Sequence, residues 1–169
     1  QINAKLSKDK RIEIAAEGIF SKYGYEKATL DQIISLADVG KGTVYKYFGN
    51  KEQLFYKLVS AKNEPFVEAL RVAVESESEL KDKLTAYFKV MVEFYQKNCA
   101  LWQIIYYEML NDTHCTVVFD AEDNAQVISR YSEDTVSDEV KERFLRYHNL
   151  LTSEFEILYK IVVDGMKEG

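Results

Sequence analysis

The stretch that decides the fold is residues 40–52, which read G-K-G-T-V-Y-K-Y-F-G-N-K-E. It places three lysines among two tyrosines, three glycines and one phenylalanine, in a chain of 169 residues whose formal net charge is −6. The pattern predicts a short helix that begins near Lys41 and stops at Gly49. Asn50 follows directly and can cap the next helix.

This predicted helix has two different sides when its residues are placed at 100° intervals. Val44 and Phe48 fall on one side and predict packing against neighbouring helices. Lys46 and Gly42 point nearly the opposite way. Three side chains with hydroxyl groups flank that outward side: Thr43, Tyr45 and Tyr47. Such a surface suits DNA, because lysine binds phosphate or a guanine edge, hydroxyls bind phosphate oxygens, and glycine permits close approach.

Two more helices are predicted upstream of this one. Residues 8–23 repeat apolar side chains at spacings of three and four as far as Tyr23, and Gly24 can close that helix. Thr29 and Gln32 have capping-box spacing at the start of a helix of about two turns. A short break then precedes the third helix. Three short helices with a tight turn between the second and third are the layout of a helix-turn-helix unit.

Charge is unevenly distributed along the chain. Residues 1–63 contain 11 Lys and Arg against 7 Asp and Glu, which gives +4. Residues 64–169 contain 11 against 21, which gives −10. A basic head on an acidic body indicates a small polyanion-binding module joined to a different module.

The segment from Ile12 to Leu58 resembles the DNA-binding domain of the TetR family of bacterial transcription regulators. The resemblance rests on residues 29–54, T-L-D-Q-I-I-S-L-A-D-V-G-K-G-T-V-Y-K-Y-F-G-N-K-E-Q-L. This run has the family's tyrosine-x-tyrosine/histidine-phenylalanine element followed by lysine-glutamate. Asp38 stands where the family most often has glycine, and Gly40 replaces the commoner serine or threonine that opens the recognition helix. The helical remainder of the chain agrees with the family only in architecture.

The resemblance implies a role for each member of the predicted DNA-binding surface. Thr29 and Lys51 look like phosphate contacts, although helix capping would explain Thr29 and ordinary solvation would explain Lys51. Lys46 is the candidate for a base contact. Tyr45 and Tyr47 look like phosphate-positioning or base-contacting phenols, against the alternative of simple packing. The leading edge of the recognition helix completes the set: Lys41, Gly42 and Thr43.

The predicted fold class is all-α, in two domains. Residues 1–50 form a three-helix helix-turn-helix DNA-binding domain, and residues 51–169 form a helical effector-binding and dimerisation domain. The fourth helix, from about residue 50, links them. Family members usually continue with two more helices beyond the point corresponding to Gly169. The resemblance therefore implies either that the second domain lacks its last helices or that dimerisation is arranged differently.

Pro65 and a polar segment interrupt the helical pattern of the second domain. Pro65 should kink or end the fourth helix, because proline cannot donate the backbone hydrogen bond. Residues 79–96 and residues 100–110 each have helical spacing and are predicted as successive helices. Residues 111–136 are polar and predict a loop or irregular structure. A last long helix is predicted over residues 137–166.

The resemblance implies that the second domain binds a small effector. The pocket candidates are aromatic and methionine side chains at helical spacing: Phe88, Met91, Tyr95, Trp102, Tyr106 and Tyr147. Glu108 joins them, because an acid among aromatic residues could meet a cationic ligand, and so does His148 on the last helix. Each candidate has a plainer interpretation. Such aromatic side chains usually form ordinary core, and Glu108 could occupy a helix edge that reaches solvent.

These features favour a sequence-specific DNA-binding transcription regulator. The resemblance implies a homodimeric repressor that an unidentified small-molecule effector releases from a palindromic double-stranded DNA operator. One alternative is a constitutive DNA-binding protein without an effector. Another is a helical protein-interaction module, which would leave the outward surface around Lys46 unexplained.

Other classes of protein are disfavoured by what the sequence lacks. It has no Gly-rich phosphate loop, no nucleophile motif and no metal-ligand spacing, so it predicts neither an enzyme nor a metal or cofactor site. Cys99 and Cys115 are predicted to be free thiols. No apolar run approaches the roughly 18–20 residues of a membrane span, and the N-terminus lacks the apolar core of a signal peptide. These features predict a cytoplasmic protein.

Overall fold

The computed structural model describes residue 2 and residues 5–110, 115–119, 125–129 and 137–168. Within these ranges the chain forms six α-helices, one π-helical turn and two short strands. In chain order the elements are α1 (Lys8–Lys27), α2 (Leu30–Ala37), α3 (Lys41–Phe48), α4 (Lys51–Glu75), α5 (Leu80–Ile104), the π-helical turn Ile105–Leu110, β1 (Cys115–Phe119), β2 (Ala125–Ser129) and α6 (Asp138–Glu168). The prediction of an all-α fold class is confirmed. The chain divides into two compact units, residues 1–64 and residues 65–169.

The N-terminal unit is organised around α1. Phe20 packs its ring edge-on against Phe55 of α4, with ring centroids 4.9 Å apart. Gly24 has a φ of 75° and interrupts the helical backbone, but α1 resumes and continues to Lys27. The prediction that Tyr23 belongs to the buried stripe is wrong, because it is exposed. The change of direction at Gly24 instead places Tyr25 in the core, stacked on Phe20.

Capping residues fix the helices of this unit at the predicted positions. The Thr29 hydroxyl oxygen accepts from the Gln32 backbone N–H at 3.2 Å, and the Gln32 side chain accepts from the Thr29 N–H at 2.9 Å. This reciprocal pair is the predicted capping box. Asp38 closes α2 in the left-handed region with a φ of 51°. The Asn50 side chain accepts from the Gln53 N–H at 2.8 Å and caps α4 as predicted.

Helix α4 does not end at Pro65 but runs uninterrupted from Lys51 to Glu75. Of the two predicted effects of Pro65, an end to the helix is wrong, whereas a kink stays a prediction. Proline removes one backbone hydrogen bond, and the residues that follow offset that loss, because Phe66 and Leu70 are buried. The boundary between the two compact units nevertheless falls directly before Pro65.

The C-terminal unit is built from the end of α4, α5 and α6. Its core contains a cluster of buried residues from all three helices: Phe66, Leu70, Val74, Tyr87 and Ile161. The predicted separation into helices over residues 79–96 and 100–110 is wrong, because α5 runs without a break from Leu80 to Ile104. The polar residues between the two apolar segments fit inside the helix, and the Asn98 side chain donates to the Phe94 carbonyl at 2.9 Å.

Part of the predicted loop is a β-hairpin. Strands β1 and β2 pair antiparallel, with Val117 opposite Val127 in the register. Val127 is buried with Phe144 of α6, so the hairpin has an apolar side that the polar composition of residues 111–136 concealed. Helix α6 then begins at Asp138, directly after Ser137, as predicted. None of the helices in the described ranges is both long enough and apolar enough to cross a membrane.

Candidate nucleic-acid interface

Helix α3 separates its buried and exposed sides as the sequence predicts. Val44 and Phe48 are buried in the core of the N-terminal unit. Lys46 is exposed, and Tyr45 and Tyr47 are 48% and 45% exposed. Packing in the core therefore does not account for either tyrosine. We call the outward surface of this helix the recognition face, formed by Lys41, Gly42, Thr43, Tyr45, Lys46 and Tyr47.

Gly42 leaves the backbone of the recognition face bare. A Cβ atom added there would have no heavy atom within 4 Å. Packing inside the protein therefore does not require glycine at this position. A positive φ does not require it either, because the glycines with a positive φ in the described part of the chain are Gly24 and Gly49. An open backbone at this point allows another molecule to approach the helix closely.

Lys41 starts the recognition face in an exposed and weakly held position. Its Nζ lies 3.4 Å from an Asp31 carboxylate oxygen, and both side chains are largely exposed. The same ammonium lies 5.9 Å from the centre of the Tyr45 ring. Exposed ion pairs of this kind contribute about 0–1 kcal/mol. A phosphate could therefore replace Asp31 as the partner of Lys41 at little cost.

Thr29 stands apart from the recognition face, at the start of α2. Its hydroxyl oxygen is used in the capping box with Gln32. The side chain is nevertheless exposed, so the hydroxyl proton can still be donated outward. Capping and a phosphate contact are compatible at this residue.

Lys51 has a structural role that sequence reasoning missed. Its Nζ donates to the backbone carbonyls of Tyr25 at 2.9 Å, Ala28 at 3.2 Å and Glu26 at 3.4 Å. It also lies 4.3 Å from the centre of the Tyr25 ring. The last carbonyls of a helix have no partners within it, so Lys51 closes the end of α1. A phosphate contact from the same ammonium stays a prediction.

Lys57 closes α3 in a similar way and was also missed. Its Nζ donates to the Tyr47 carbonyl at 2.8 Å and lies 5.2 Å from the centre of the Phe48 ring. Cations are favourable at helix C-termini because the macrodipole is negative there. The sequence does show a lysine about two helical turns after Asn50. It does not show the fold that brings this lysine back to α3.

The predicted pocket residues do not gather in one place. Phe88 is exposed, whereas Tyr147 is fully buried. His148 is half-buried and stacks on Phe144, with ring centroids 6.0 Å apart. Met91 packs against the core cluster of the C-terminal unit. Glu108 lies in the π-helical turn, and its side chain is outside the described residues.

Three of the predicted pocket residues do lie together. The Tyr95 and Trp102 rings have centroids 6.4 Å apart, and Trp102 is buried. The Tyr106 hydroxyl is hydrogen-bonded to that of Tyr95, and the Tyr106 side chain is 40% exposed. The pKa of Tyr95 is raised mainly by burial and also by the contact with Glu154.

Glu154, which is not among the predicted pocket residues, is the polar centre of this group. It is 1% exposed, and its Oε1 accepts from the Tyr95 hydroxyl at 2.6 Å. Its backbone carbonyl accepts from the Tyr87 hydroxyl at 3.0 Å. Burial raises the pKa of Glu154, and the hydrogen bond from Tyr95 opposes that shift. Burial and the Glu154 charge together raise the pKa of Tyr87 to about 12.

A groove with a volume of about 470 Å³ lies elsewhere in the C-terminal unit. Its apolar lining includes Val74, Ile157 and Ile161, and its charged lining includes Arg71, Lys160 and Asp164. None of the predicted pocket residues whose side chains the structure describes lines it. Within the described residues, no group of three or more His, Cys, Asp or Glu side chains is arranged to hold a metal ion.

The N-terminal unit is similar in sequence to known bacterial regulatory proteins. Residues 14–58 match the model of the bacterial regulatory proteins of the tetR family. An uncharacterized HTH-type transcriptional regulator of Bacillus subtilis, YhgD, is 46% identical over 50 residues, which is 30% of this chain and 26% of that protein. The fatty acid metabolism regulator protein of Bacillus subtilis is 31% identical over 80 residues, or 47% of this chain and 41% of that protein. The chain thus spans less than half of these curated relatives.

Solved structures extend the similarity in fold to nearly the whole chain. A bacterial regulatory protein of the tetR family from Rhodococcus RHA1 has a TM-score of 0.71 at 20% identity, covering 98% of this chain and 73% of that one. FadR from Bacillus subtilis, solved in complex with stearoyl-CoA, has a TM-score of 0.67 at 20% identity. That match covers 95% of this chain and 72% of FadR. At these identities the comparison establishes the fold.

Proposed function

We propose that the protein is a sequence-specific DNA-binding transcription regulator, because residues 14–58 match the model of the bacterial regulatory proteins of the tetR family. The observation that carries the proposal is the recognition face. One short helix buries Val44 and Phe48 and turns Tyr45, Lys46 and Tyr47 outward. An exposed helix of this kind, preceded by a second helix and a tight turn, is suited to the major groove.

Different residues of the recognition face make different kinds of contact with DNA in this proposal. Lys46 lies at the centre of the exposed side and contacts base edges, since lysine is a donor for guanine O6 and N7. The Tyr45 and Tyr47 hydroxyls, with Thr43, bind phosphate oxygens and fix the position of the helix. Lys41 exchanges its exposed partner Asp31 for a phosphate. Gly42 lets the backbone come close to the DNA.

We extend the proposal to a homodimer acting on a palindromic operator in the cytoplasm. Helix-turn-helix proteins that pair in this way contact half-sites about 34–36 Å apart. An exposed apolar stripe on α6 supports association with another helical surface, since its members repeat at spacings of four and three. The stripe is formed by Phe155, Tyr159, Val162 and Met166.

We further propose that a small molecule bound by the C-terminal unit releases the protein from its operator, which makes it a repressor. A relative that matches part of this chain is named for fatty acid metabolism, and FadR of similar fold was solved with stearoyl-CoA. Those names support a ligand-responsive regulator as the class. The coupling would be a difference in ligand affinity between a DNA-competent and a DNA-incompetent state.

Selection from random DNA tests the proposal directly. The full chain is mixed with a library of random duplexes, and the bound fraction is amplified through several rounds and sequenced. We expect enrichment of an inverted repeat whose half-sites are about one helical turn apart. A parallel selection with Lys46→Ala should lose the preference at one or two positions in each half-site. Recovery of no enriched motif by the parent chain would exclude sequence-specific binding.

A further inference from the structure

Of the buried polar atoms of the C-terminal unit that have no hydrogen-bond partner among the described residues, two lie beside Tyr95. They are Oε2 of Glu154 and Nε1 of Trp102. Both side chains are 1% exposed. Both also lie against Tyr95, whose hydroxyl donates to the other carboxylate oxygen of Glu154. An unused acceptor and an unused donor therefore flank the same side chain.

Such a pair is uncommon in a protein core. Buried polar groups are almost always hydrogen-bonded, and a buried carboxylate is usually paired with a cation. Within the described part of the chain, Glu154 forms no ion pair with Lys, Arg or His. Its hydrogen-bonding neighbours are tyrosines, which do not neutralise its charge. The ionised form of Glu154, which burial disfavours, therefore has no positive partner among the described residues and would be stabilised by one.

Aromatic rings pack against Tyr95 and Trp102. Phe94 meets Trp102 edge-on with ring centroids 4.6 Å apart, and it stacks on Phe66 at 3.9 Å. Tyr95 stands edge-on to both Phe66 and Trp102. Aromatic faces attract cations and accept the apolar part of a ligand. The carboxylate and the rings thus favour one kind of molecule.

We propose that Glu154 anchors a ligand site that takes a protonated amine attached to an apolar body. The ammonium donates to Oε2 of Glu154, and the apolar body packs against Phe94 and Trp102. The indole N–H of Trp102 donates to an acceptor on the ligand or to a water that accompanies it. This site would be the effector site of the regulator, so its regulatory meaning rests on the proposed function.

The site opens through Tyr106. The Tyr106 side chain is 40% exposed and its hydroxyl is bonded to that of Tyr95, which in turn donates to Glu154. Rotation of the Tyr106 and Tyr95 side chains would give a ligand access to Oε2. An anionic ligand is disfavoured, because a second negative charge beside a buried carboxylate raises the free energy of both. The stearoyl-CoA bound by FadR represents the opposite charge type.

The chain contains its own reporter for this site. Trp102 is the only tryptophan in the sequence, so intrinsic tryptophan fluorescence follows the ligand site alone. The probes are 4-phenylbutylamine, the neutral 4-phenylbutanol and the anionic 4-phenylbutanoate, which share one apolar body. We expect a saturable fluorescence change with the amine and at least tenfold weaker binding of the alcohol and the carboxylate.

Matched variants assign the preference to one residue. Glu154→Gln keeps the size of the side chain and removes its charge, so the tenfold preference for the amine should disappear. Glu156→Gln removes an exposed carboxylate two residues along the same helix and should leave the preference intact. Circular dichroism checks the folding of each variant. If Glu154→Gln does not fold, Glu154→Asp, which shortens the reach of the carboxylate, should weaken amine binding without abolishing helicity.

The outcomes separate this inference from the proposed function. Equal binding of the amine and the alcohol by the parent chain would overturn the inference, and so would no fluorescence change up to millimolar amine. Retention of the preference by a folded Glu154→Gln variant would overturn it as well. DNA binding by the same samples is measured in parallel. If the amine does not bind but DNA binding stays sequence-specific, only the ligand site is excluded. If the protein binds all DNA sequences equally, the proposed function is excluded.

Discussion

The ammonium group of Lys51, at the start of α4, donates a hydrogen bond to the backbone carbonyl of Tyr25 at 2.9 Å, near the end of α1. Two further carbonyls of the same segment lie within 3.4 Å of it. Lys51 therefore joins two helices of the N-terminal unit, in addition to any contact it makes with DNA. A single substitution separates these two roles.

Lys51→Met keeps the aliphatic stem and removes the charge and the donors. Because hydrogen bonds from charged donors contribute about 1.5–3 kcal/mol and this one is partly solvated, we expect the free energy of unfolding to fall by about 1–2 kcal/mol. Urea unfolding followed by circular dichroism measures the change. The control is Lys46→Met, an exposed position whose substitution should change stability by less than about 0.5 kcal/mol. Equal stability of both variants would remove the structural role of Lys51.

Lys46→Ala tests the centre of the recognition face. If Lys46 contacts a base, specific binding should weaken by about 1–3 kcal/mol and specificity should relax at that position, while helicity stays unchanged. Lys89→Ala, an exposed lysine of α5 in the other unit, is the matched control for loss of one positive charge. Fluorescence anisotropy on an operator duplex gives both affinities. A Lys46→Ala variant that binds like the control would show that the base contact lies elsewhere.

Gly42→Ala distinguishes close approach from helix stability. The added methyl group meets open space, so the variant should be more stable by about 0.5–1 kcal/mol, the usual gain for alanine over glycine inside a helix. DNA affinity should fall despite this gain, because the methyl group would lie between α3 and the DNA. Unchanged DNA affinity in the more stable variant would place Gly42 outside the interface.

Gly49→Ala provides the opposite case. Gly49 has a φ of 79°, and a Cβ there would also overlap the flexible amide of Gln53. A side chain in this sparsely populated backbone region costs about 1–3 kcal/mol. Urea unfolding should therefore show a less stable protein, whereas Gly42→Ala shows a more stable one. Similar stabilities of the two variants would contradict the positive φ at the end of α3.

Glu154 should make stability depend on pH. Burial raises the pKa of Glu154 above its ordinary value of 4.5, so between these two pKa values the folded state holds more protons than the unfolded state. Its stabilising contribution is fully present below pH 4.5 and is lost as pH rises through the folded pKa. The free energy of unfolding of the parent minus that of Glu154→Gln should fall as pH rises from 4 to 8. A difference that does not change with pH would contradict the burial of a titrating carboxyl at this position.

Local signals in the sequence predicted much of the N-terminal unit. The capping box depends on two residues three apart, and both Thr29 and Gln32 make the predicted bonds. The period of the helix placed Val44 and Phe48 inside. Tyr23 was misassigned because the prediction carried one helical phase through to the end of the stripe, whereas Gly24 changes the direction of the chain and brings Tyr25 into the core.

Features that depend on distant parts of the chain were not predictable in the same way. Lys51 meets carbonyls 23–26 residues earlier, a contact that follows only from the packed fold. Glu154 did have a signal, since it interrupts the apolar stripe of α6 between Leu151 and Ile161, both of which are buried. An acid in that position is unusual enough to mark a site. Its partner Tyr95 lies 59 residues away on α5.

The central claim is sequence-specific DNA binding through the recognition face, and fluorescence anisotropy tests it most directly. The full chain is titrated into a labelled duplex from upstream of its own gene and into a scrambled duplex, over a series of salt concentrations. We expect tight binding to the first duplex alone, with a logarithm of affinity that falls linearly with the logarithm of salt concentration as phosphate contacts are lost. Equal affinity for both duplexes at every salt concentration, or binding to neither, would contradict the account.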